Sequence, residues 1–170
     1  MTKATPDRRA GRQLPSAAEL RAWRAYIETA EALRSQLASR LQVESSLSPG
    51  DYAVLLALSE AQERQLRSSE LAAQIGWERS RLSHHLGRME RRGLIRRQEC
   101  ATDRGGAEVL LTPAGADAFR RSTVPHLRAI RELFVDALTP DQLAAAGEIA
   151  AALRAHLDTH QTPQAPRNDR

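Results

Sequence analysis

The sequence of 170 residues contains a single cysteine, Cys100, and no long apolar run. One cysteine cannot form a disulfide within the chain, and it excludes zinc sites that need several cysteines. No segment is apolar for long enough to cross a bilayer, and the N-terminus lacks the apolar core of a secretory signal. These absences predict a cytoplasmic protein without a membrane-spanning segment.

Lysine is almost absent as well, since Lys3 is the only lysine among 25 basic residues. Arginine therefore carries the positive charge, and its guanidinium group forms bidentate contacts with phosphate and guanine. Ten arginines and five acidic residues lie between positions 64 and 104, although the net charge of the whole chain is only +4. This concentration of charge indicates an anionic partner, while a solvated charged surface is the alternative that charge alone leaves open.

Sequence motifs for catalysis are missing too. The chain has no phosphate-binding glycine loop, no nucleophile elbow and no His-Glu-x-x-His zinc motif. His156 and His160 have the spacing of one helical face, but favourable charge at a helix C-terminus explains such a pair more simply than zinc does. We therefore predict no enzymatic activity, no metal site and no cofactor.

Residues 66–112 have the layout of a winged helix-turn-helix, with two short helices, a two-stranded hairpin with a basic loop, and a new helix start. Residues 69–76 have the apolar spacing of a short scaffold helix that ends at Gly76. Residues 78–92 supply a second helix with arginine and histidine on its outward face, and residues 93–97 turn into a strand. This layout makes double-stranded DNA the leading partner.

Three helices outside this region have apolar faces at helical spacing. Their N-termini are marked by caps, namely the Ser16 capping box, Thr112 before a proline and Thr139 before a proline, and Ser48 marks a fourth helix in the same way. The second of these faces is interrupted by Pro125, where we expect a kink. Without a sheet to pack on, the three faces suggest a dimer interface built from both chain ends; an intramolecular three-helix bundle is the competing interpretation.

The recognition helix can be phased from its own apolar residues. Leu82, Leu86 and Met89 must face the scaffold, which leaves an opposite face that we predict to contact base edges. An arginine that reads guanine bidentately provides about 1–3 kcal/mol of discrimination, whereas serine and histidine contact either a base or a phosphate. The four residues of this face are Ser80, Arg81, His84 and Arg88.

Further arginines lie at the end of this helix and in the following strand, where phosphate contact is expected rather than sequence reading. They are Arg91, Arg92, Arg96 and Arg97. His85 lies between the two faces of the helix, so its position leaves both a core role and a contact with the DNA backbone open.

Taken in order and at their intervals, these motifs resemble the MarR (multiple antibiotic resistance regulator) family of transcription factors. The resemblance covers roughly residues 18–156. It is carried by the segments at 47–55, 71–73, 81–83, 89–95, 103–104 and 111–115. It implies a homodimer with intertwined terminal helices, one winged helix per subunit and, often, a small-molecule or oxidant signal that weakens DNA binding.

The sequence departs from the family pattern at two positions. The wing arginine falls one position early as Arg104, and Gly105 occupies its usual place; we count Arg104 among the DNA contacts and leave its reach into the minor groove open. Glu78 stands where a serine often caps the recognition helix. Cys100 is interpreted as a bystander, because Glu99 and Asp103 oppose the nearby arginines that would otherwise activate its thiol. The resemblance also disfavours the peroxide-sensing branch of the family, which carries its reactive cysteine in the first helix, where this chain has none.

A small-molecule pocket is expected between the winged helix and the dimer helices. Aromatic residues at helical spacing are usually core, but some are large or polar-tipped enough to line such a pocket. The candidates are Trp23, Tyr26, Tyr52, His126 and Phe134. The sequence does not identify the ligand.

The prediction as a whole is a mainly α fold with a small β-hairpin wing. Its parts are a flexible basic arm (1–15), a dimerisation helix (16–46), the winged helix-turn-helix (47–112), C-terminal dimerisation helices (113–160) and a disordered tail (161–170). The predicted function is a regulator, specifically a repressor, that binds a pseudo-palindromic operator as a homodimer and is released by a small-molecule effector. The alternative is a DNA-packaging or helical interaction protein without operator specificity.

Overall fold

The structure, a computed structural model, describes residues 14–99 and 107–160. The predicted arm up to residue 13, the predicted tail 161–170, the side chain of His160, and Cys100, Arg104 and Gly105 in the wing lie outside the described residues. Within the described residues, six α-helices and three strands follow one another. They are α1 Ala17–Ser45, α2 Pro49–Glu60, β1 Gln65–Arg67, α3 Ser68–Gln74, α4 Arg79–Arg91, β2 Ile95–Glu99, β3 Ala107–Leu111, α5 Pro113–Ile130 and α6 Pro140–His160.

The mainly α fold with a small β wing is as predicted, and the helices begin where the caps placed them. Ser16, Ser48, Thr112 and Thr139 each accept a hydrogen bond from the backbone N–H three residues further on. These side chains satisfy amide groups that have no partner inside their own helix. Because a cap and its partner are neighbours in the chain, this feature follows from the sequence alone.

The wing is a three-stranded antiparallel sheet with the order β1-β3-β2. β2 and β3 form the predicted hairpin, in the register that pairs Ile95 with Leu111. β1 was not predicted; it pairs Leu66 with Val109 and so adds a third strand to the hairpin. A strand of three residues is too short to show an alternating pattern in the sequence.

The core lies between α2, α3, α4 and the sheet. Leu82, Leu86 and Met89 are buried in it, which confirms the predicted phase of the recognition helix. Leu41 of α1 belongs to the same core, and Phe119 of α5 packs against it. The winged helix therefore shares its apolar interior with two of the terminal helices.

α5 continues through Pro125, the residue at which the sequence predicted a kink. The departure from α geometry comes later, at the π-helical segment Arg131–Val135 that follows α5. Glu132 of this segment accepts a hydrogen bond from Arg40, which ties the segment to α1.

α6 and the first half of α1 have little cover from the other residues that the structure describes. Residues 14–29 are all exposed, and so are residues 140–159 apart from Ala146, which is half-buried. The chain alone therefore does not form the three-helix bundle that was the competing interpretation. The apolar side chains left exposed on these two helices include Leu20, Trp23, Ile27, Ile149, Leu153 and Leu157. Across the described ranges, no helix combines the length and the apolar character needed to span a bilayer.

Candidate nucleic-acid interface

The outward face of α4 is the face that the sequence predicted. Ser80, Arg81, His84 and Arg88 are all exposed, whereas Leu82, on the opposite face, is 1% exposed. Glu78 occupies the N-cap position and makes no side-chain capping hydrogen bond. The helix thus presents two arginines, a serine and a histidine to solvent on one side.

Arg81 is held by an aromatic ring. Its guanidinium carbon lies 4.2 Å from the ring centroid of Trp77, a half-buried residue in the turn between α3 and α4. A cation over an aromatic face is attracted by the ring quadrupole, and the N–H groups at the edges of the guanidinium group stay available as donors. The backbone N–H of Trp77 donates to the carbonyl of Ala72 at 2.9 Å, which anchors the turn.

Arg88 is held by a second ring, that of His85. Nη2 of Arg88 donates a hydrogen bond to Nδ1 of His85 at 2.8 Å. A guanidinium group can only donate, so Nδ1 must be the unprotonated nitrogen and Nε2 carries the proton of a neutral ring. Nε2 lies 3.0 Å from Oδ1 of Asp51, with its N–H poorly aligned on that oxygen. His85 is 7% exposed, which places it in the core.

Asp51 joins α2 to the recognition helix. Its Oδ2 accepts from Nη1 of Arg92 at 2.7 Å and from the backbone N–H of Ser48 at 2.9 Å. Burial by itself raises the pKa of Asp51, but the contacts with His85, Ser48 and Arg92 outweigh it and hold the pKa well below its ordinary range. Arg92 also donates to the carbonyl of Ser46 at 2.6 Å.

The predicted phosphate-contacting arginines differ in their surroundings, although all are exposed. Arg92 is committed to Asp51, and Arg97 forms a 2.7 Å ion pair with Glu90. The backbone N–H of Arg97 and then its side chain lower the pKa of Glu90. Arg91 donates only to the carbonyl of Gly87, at 3.2 Å, and has no carboxylate partner among the residues that the structure describes. Arg91 and Arg96 thus retain more of their charge than Arg92 and Arg97 do, since Arg96 donates to the neutral amide oxygen of Gln98 at 3.4 Å.

Sequence reasoning missed two residues of this site, Asp51 and Trp77. Asp51 stands three residues after Ser48, the spacing of a capping box, and this signal alone could have placed it at the start of α2. No sequence signal tied Trp77 to Arg81, because contact across a helix start depends on how the turn folds.

The five candidates for a ligand pocket do not all lie together. The rings of Tyr52 and His126 are 4.6 Å apart between centroids, and Phe119 is 5.3 Å from Tyr52. Nδ1 of His126 is buried without a hydrogen-bond partner, and burial lowers the pKa of this ring. Trp23 and Tyr26 lie on the exposed half of α1, at 60% and 49% exposure. The fifth candidate, Phe134, is half-buried in the π-helical segment.

Among the described residues, no group of three or more histidine, cysteine or acidic side chains is placed to hold a metal ion. The polar contacts at the start of α2 connect this helix to the exposed basic helix α4, through Asp51, His85 and Arg92.

Comparison with known proteins identifies the family. The MarR family model matches residues 45–104, which span α2 and α4 and extend into the wing. No curated protein sequence matches the chain at a significant level. The organohalide-sensing RdhR-CbdbA1625 transcriptional regulator, in its 2,4-dichlorophenol-bound form, shares the fold with a TM-score of 0.74 at 20% identity, over 90% of this chain and 96% of that one.

Two solved structures from Streptomyces coelicolor are more similar in sequence. AbsC, a MarR family transcriptional regulator, is 33% identical, with a TM-score of 0.79, over 86% of this chain and 99% of its own. Sco3205, a MarR family transcriptional regulator solved in complex with DNA, is 35% identical, with a TM-score of 0.82, over 89% of this chain and 96% of its own. With this similarity along nearly the whole length of both relatives, the chain belongs to the MarR family of winged-helix, DNA-binding transcriptional regulators.

Proposed function

We propose that this regulator is a repressor that binds a pseudo-palindromic operator as a homodimer in the cytoplasm. The observation that carries the proposal is the outward face of α4, which presents Arg81 and Arg88 to solvent on a helix whose other face is fixed in the core. A recognition helix of this kind enters the major groove, where arginine distinguishes guanine from the other bases.

The proposed contacts fall into two groups. Ser80, Arg81, His84 and Arg88 contact base edges. Arg91 contacts phosphate, Arg104 contacts the DNA from the wing, and Arg92 and Arg97 contribute less to phosphate binding because carboxylates already neutralise them.

Dimerisation is supported by the apolar surface of α1 and α6. Trp23, Ile149 and Leu157 are each more than half exposed among the residues that the structure describes. An apolar surface of this extent marks an interaction site on a protein that stays in solution. A second copy is the natural partner, since a two-fold axis would bring two recognition helices into successive major grooves.

Selection of binders from a random duplex pool tests operator recognition. We expect a near-palindromic motif whose half-sites are centred about one helical turn, or 10 base pairs, apart. Retention of the selected duplex should exceed that of random DNA at every salt concentration, while both fall as salt rises. Equal retention of all sequences would instead support the DNA-packaging alternative.

We further propose that a small aromatic ligand releases the protein from DNA by binding beside Tyr52 and His126. The two rings supply an aromatic surface, and the unpartnered Nδ1 of His126 can accept a hydrogen bond from a ligand hydroxyl. Tyr52 is in the helix that also carries Asp51. A ligand at this point therefore contacts the helix that joins the recognition helix to the rest of the chain.

The probe for this site is 2,4-dichlorophenol, the ligand of the organohalide-sensing relative. We expect it to release the selected operator, and we expect His126→Phe to raise the concentration needed by about fivefold, the loss of one hydrogen bond. The affinity of His126→Phe for the operator without the ligand should equal that of the wild type, which is the control for this substitution. Operator binding that is insensitive to saturating 2,4-dichlorophenol would contradict this choice of ligand.

A further inference from the structure

Two aromatic rings stand between the start of α2 and the exposed arginines of α4. The rings of Trp77 and His85 meet edge to face, with centroids 5.1 Å apart and an angle of 87° between their planes. Arg81 lies over Trp77, and Arg88 donates to His85. Each proposed base-reading arginine is thus held by one ring of a contacting pair.

The backbone of α2 supports both rings. A Cβ atom added at Gly50 would lie 2.7 Å from Cη2 of Trp77 and 2.8 Å from Cε1 of His85. Both distances are shorter than any real carbon contact, so the rings pack directly on the glycine. The carboxylate of Asp51, the next residue, lies 3.0 Å from Nε2 of His85. The start of α2 therefore limits the positions that the two rings can take.

The held arginines keep the donors that base reading needs. Arg88 donates one N–H to His85, and its guanidinium group has further N–H groups for the two acceptors of guanine. Arg81 donates no N–H to Trp77, because the ring attracts the positive charge of the guanidinium group. Both side chains border an open recess of about 440 Å³ between the start of α2 and α4. Fixing a long side chain in advance removes part of the entropy cost of binding.

We propose that Trp77 and His85 are specificity-determining residues, which position Arg81 and Arg88 respectively for reading bases while touching no base themselves. The inference rests on the proposed operator binding and adds a source of its specificity. Substitutions of these two residues should change the base preference and leave the affinity for random DNA unchanged. Attraction to phosphate depends on charge rather than on the orientation of one side chain.

The test measures binding of the full-length protein to the selected operator and to random duplex DNA. It also measures binding to operator variants in which one base pair of the half-site is replaced, with the same replacement made in both half-sites. Arg81→Ala and Arg88→Ala first identify the base pair that each arginine reads. Trp77→Leu should then reduce the preference at the Arg81 base pair by about two- to fivefold, the range of an exposed cation–π contact. Trp77→Phe keeps an aromatic face and should have a smaller effect.

His85 is tested by two substitutions that separate its contacts. His85→Asn places an amide near the position of Nδ1 and can still accept from Arg88, whereas His85→Gln reaches toward Asp51 instead. We expect His85→Gln to reduce the preference at the Arg88 base pair by about fivefold, the loss of one hydrogen bond, and His85→Asn to reduce it less. Gly50→Ala displaces both rings and should weaken both preferences together.

Double mutants separate positioning from a general loss of structure. Trp77→Leu should add nothing to Arg81→Ala, and His85→Gln should add nothing to Arg88→Ala, because the ring then has no arginine to hold. Ile75→Ala is the control: Ile75 packs against the same core near Trp77, so its loss should lower thermal stability without changing any base preference.

Three results would overturn the inference. The first is a Trp77→Leu or His85→Gln variant that keeps its base preference, or that loses affinity equally on operator and random DNA. The second is an effect of a ring variant that persists in the arginine mutant. The third is that the Arg81→Ala variant and the Arg88→Ala variant both keep the wild-type preference at every base pair. That result also refutes base reading by these arginines, whereas the first two leave operator recognition intact.

Discussion

Replacing Asp51 with asparagine is expected to lower the free energy of unfolding by about 2 kcal/mol at neutral pH, the contribution of a hydrogen bond to a charged group. The side chain of Asp51 is 4% exposed and opposes both Arg92 and His85. Its loss leaves His85 buried beside a neutral amide, whereas Arg92 is 43% exposed and regains contact with water. Chemical unfolding at a fixed protein concentration measures the difference.

The effect of Asp51→Asn should depend on pH with a definite sign. The pKa of Asp51 is lower in the folded protein than in the unfolded chain, so its contribution is fully present above the unfolded pKa of about 3.9. The contribution is lost as the pH falls toward the folded pKa. The difference in stability between the wild type and Asp51→Asn should therefore shrink below about pH 4.

Asp117→Asn is the matched control for this prediction. Asp117 pairs with Arg120 one turn further along α5, but its side chain is 48% exposed and that of Arg120 is 69% exposed. Exposed pairs of this kind contribute about 0–1 kcal/mol. The contrary results are that Asp51→Asn lowers the free energy of unfolding no more than Asp117→Asn does, or by the same amount at acidic and neutral pH. Either result would show that the charge of Asp51 does not stabilise the contact between α2 and the recognition helix.

The double substitution Ile149→Asp with Leu153→Asp is expected to convert the proposed dimer into a monomer. These residues lie on one face of α6 and are 51% and 45% exposed in the single chain. Two carboxylates at the centre of an apolar interface would have to lose their hydration without gaining a partner. Affinity for a complete operator should then fall by about 10²–10⁴-fold, the advantage that linking two binding modules provides.

Sedimentation equilibrium and binding to complete and half operators measure this effect. Ala151→Asp adds one such carboxylate to the opposite side of α6 and should leave both the dimer and the operator affinity unchanged. The folded state of each monomer is checked by the burial of the winged-helix core, to which α6 contributes no residue. A double variant that still sediments as a dimer would place the interface elsewhere, and one that binds a complete operator normally would show that dimerisation is dispensable.

The features that the sequence predicted correctly depend on neighbours in the chain. Ser16, Ser48, Thr112 and Thr139 marked the helix starts because a cap bonds to an amide three residues away. The outward face of α4 followed from the spacing of its own leucines, since one apolar face fixes the direction of the other. The hairpin of β2 and β3 followed from two short segments joined by a basic loop.

The sequence by itself determined that this chain has a winged helix, which face of its recognition helix is basic, and that apolar faces lie at both ends. Only the tertiary structure decided what each arginine contacts: Arg92 reaches Asp51 and Arg97 reaches Glu90, while Trp77 and His85 hold Arg81 and Arg88. The strand β1 was likewise visible only in its pairing with β3. An arginine side chain is long and can reach several partners, so its contact depends on which elements pack nearby. The spacing of residues in the sequence does not predict that packing.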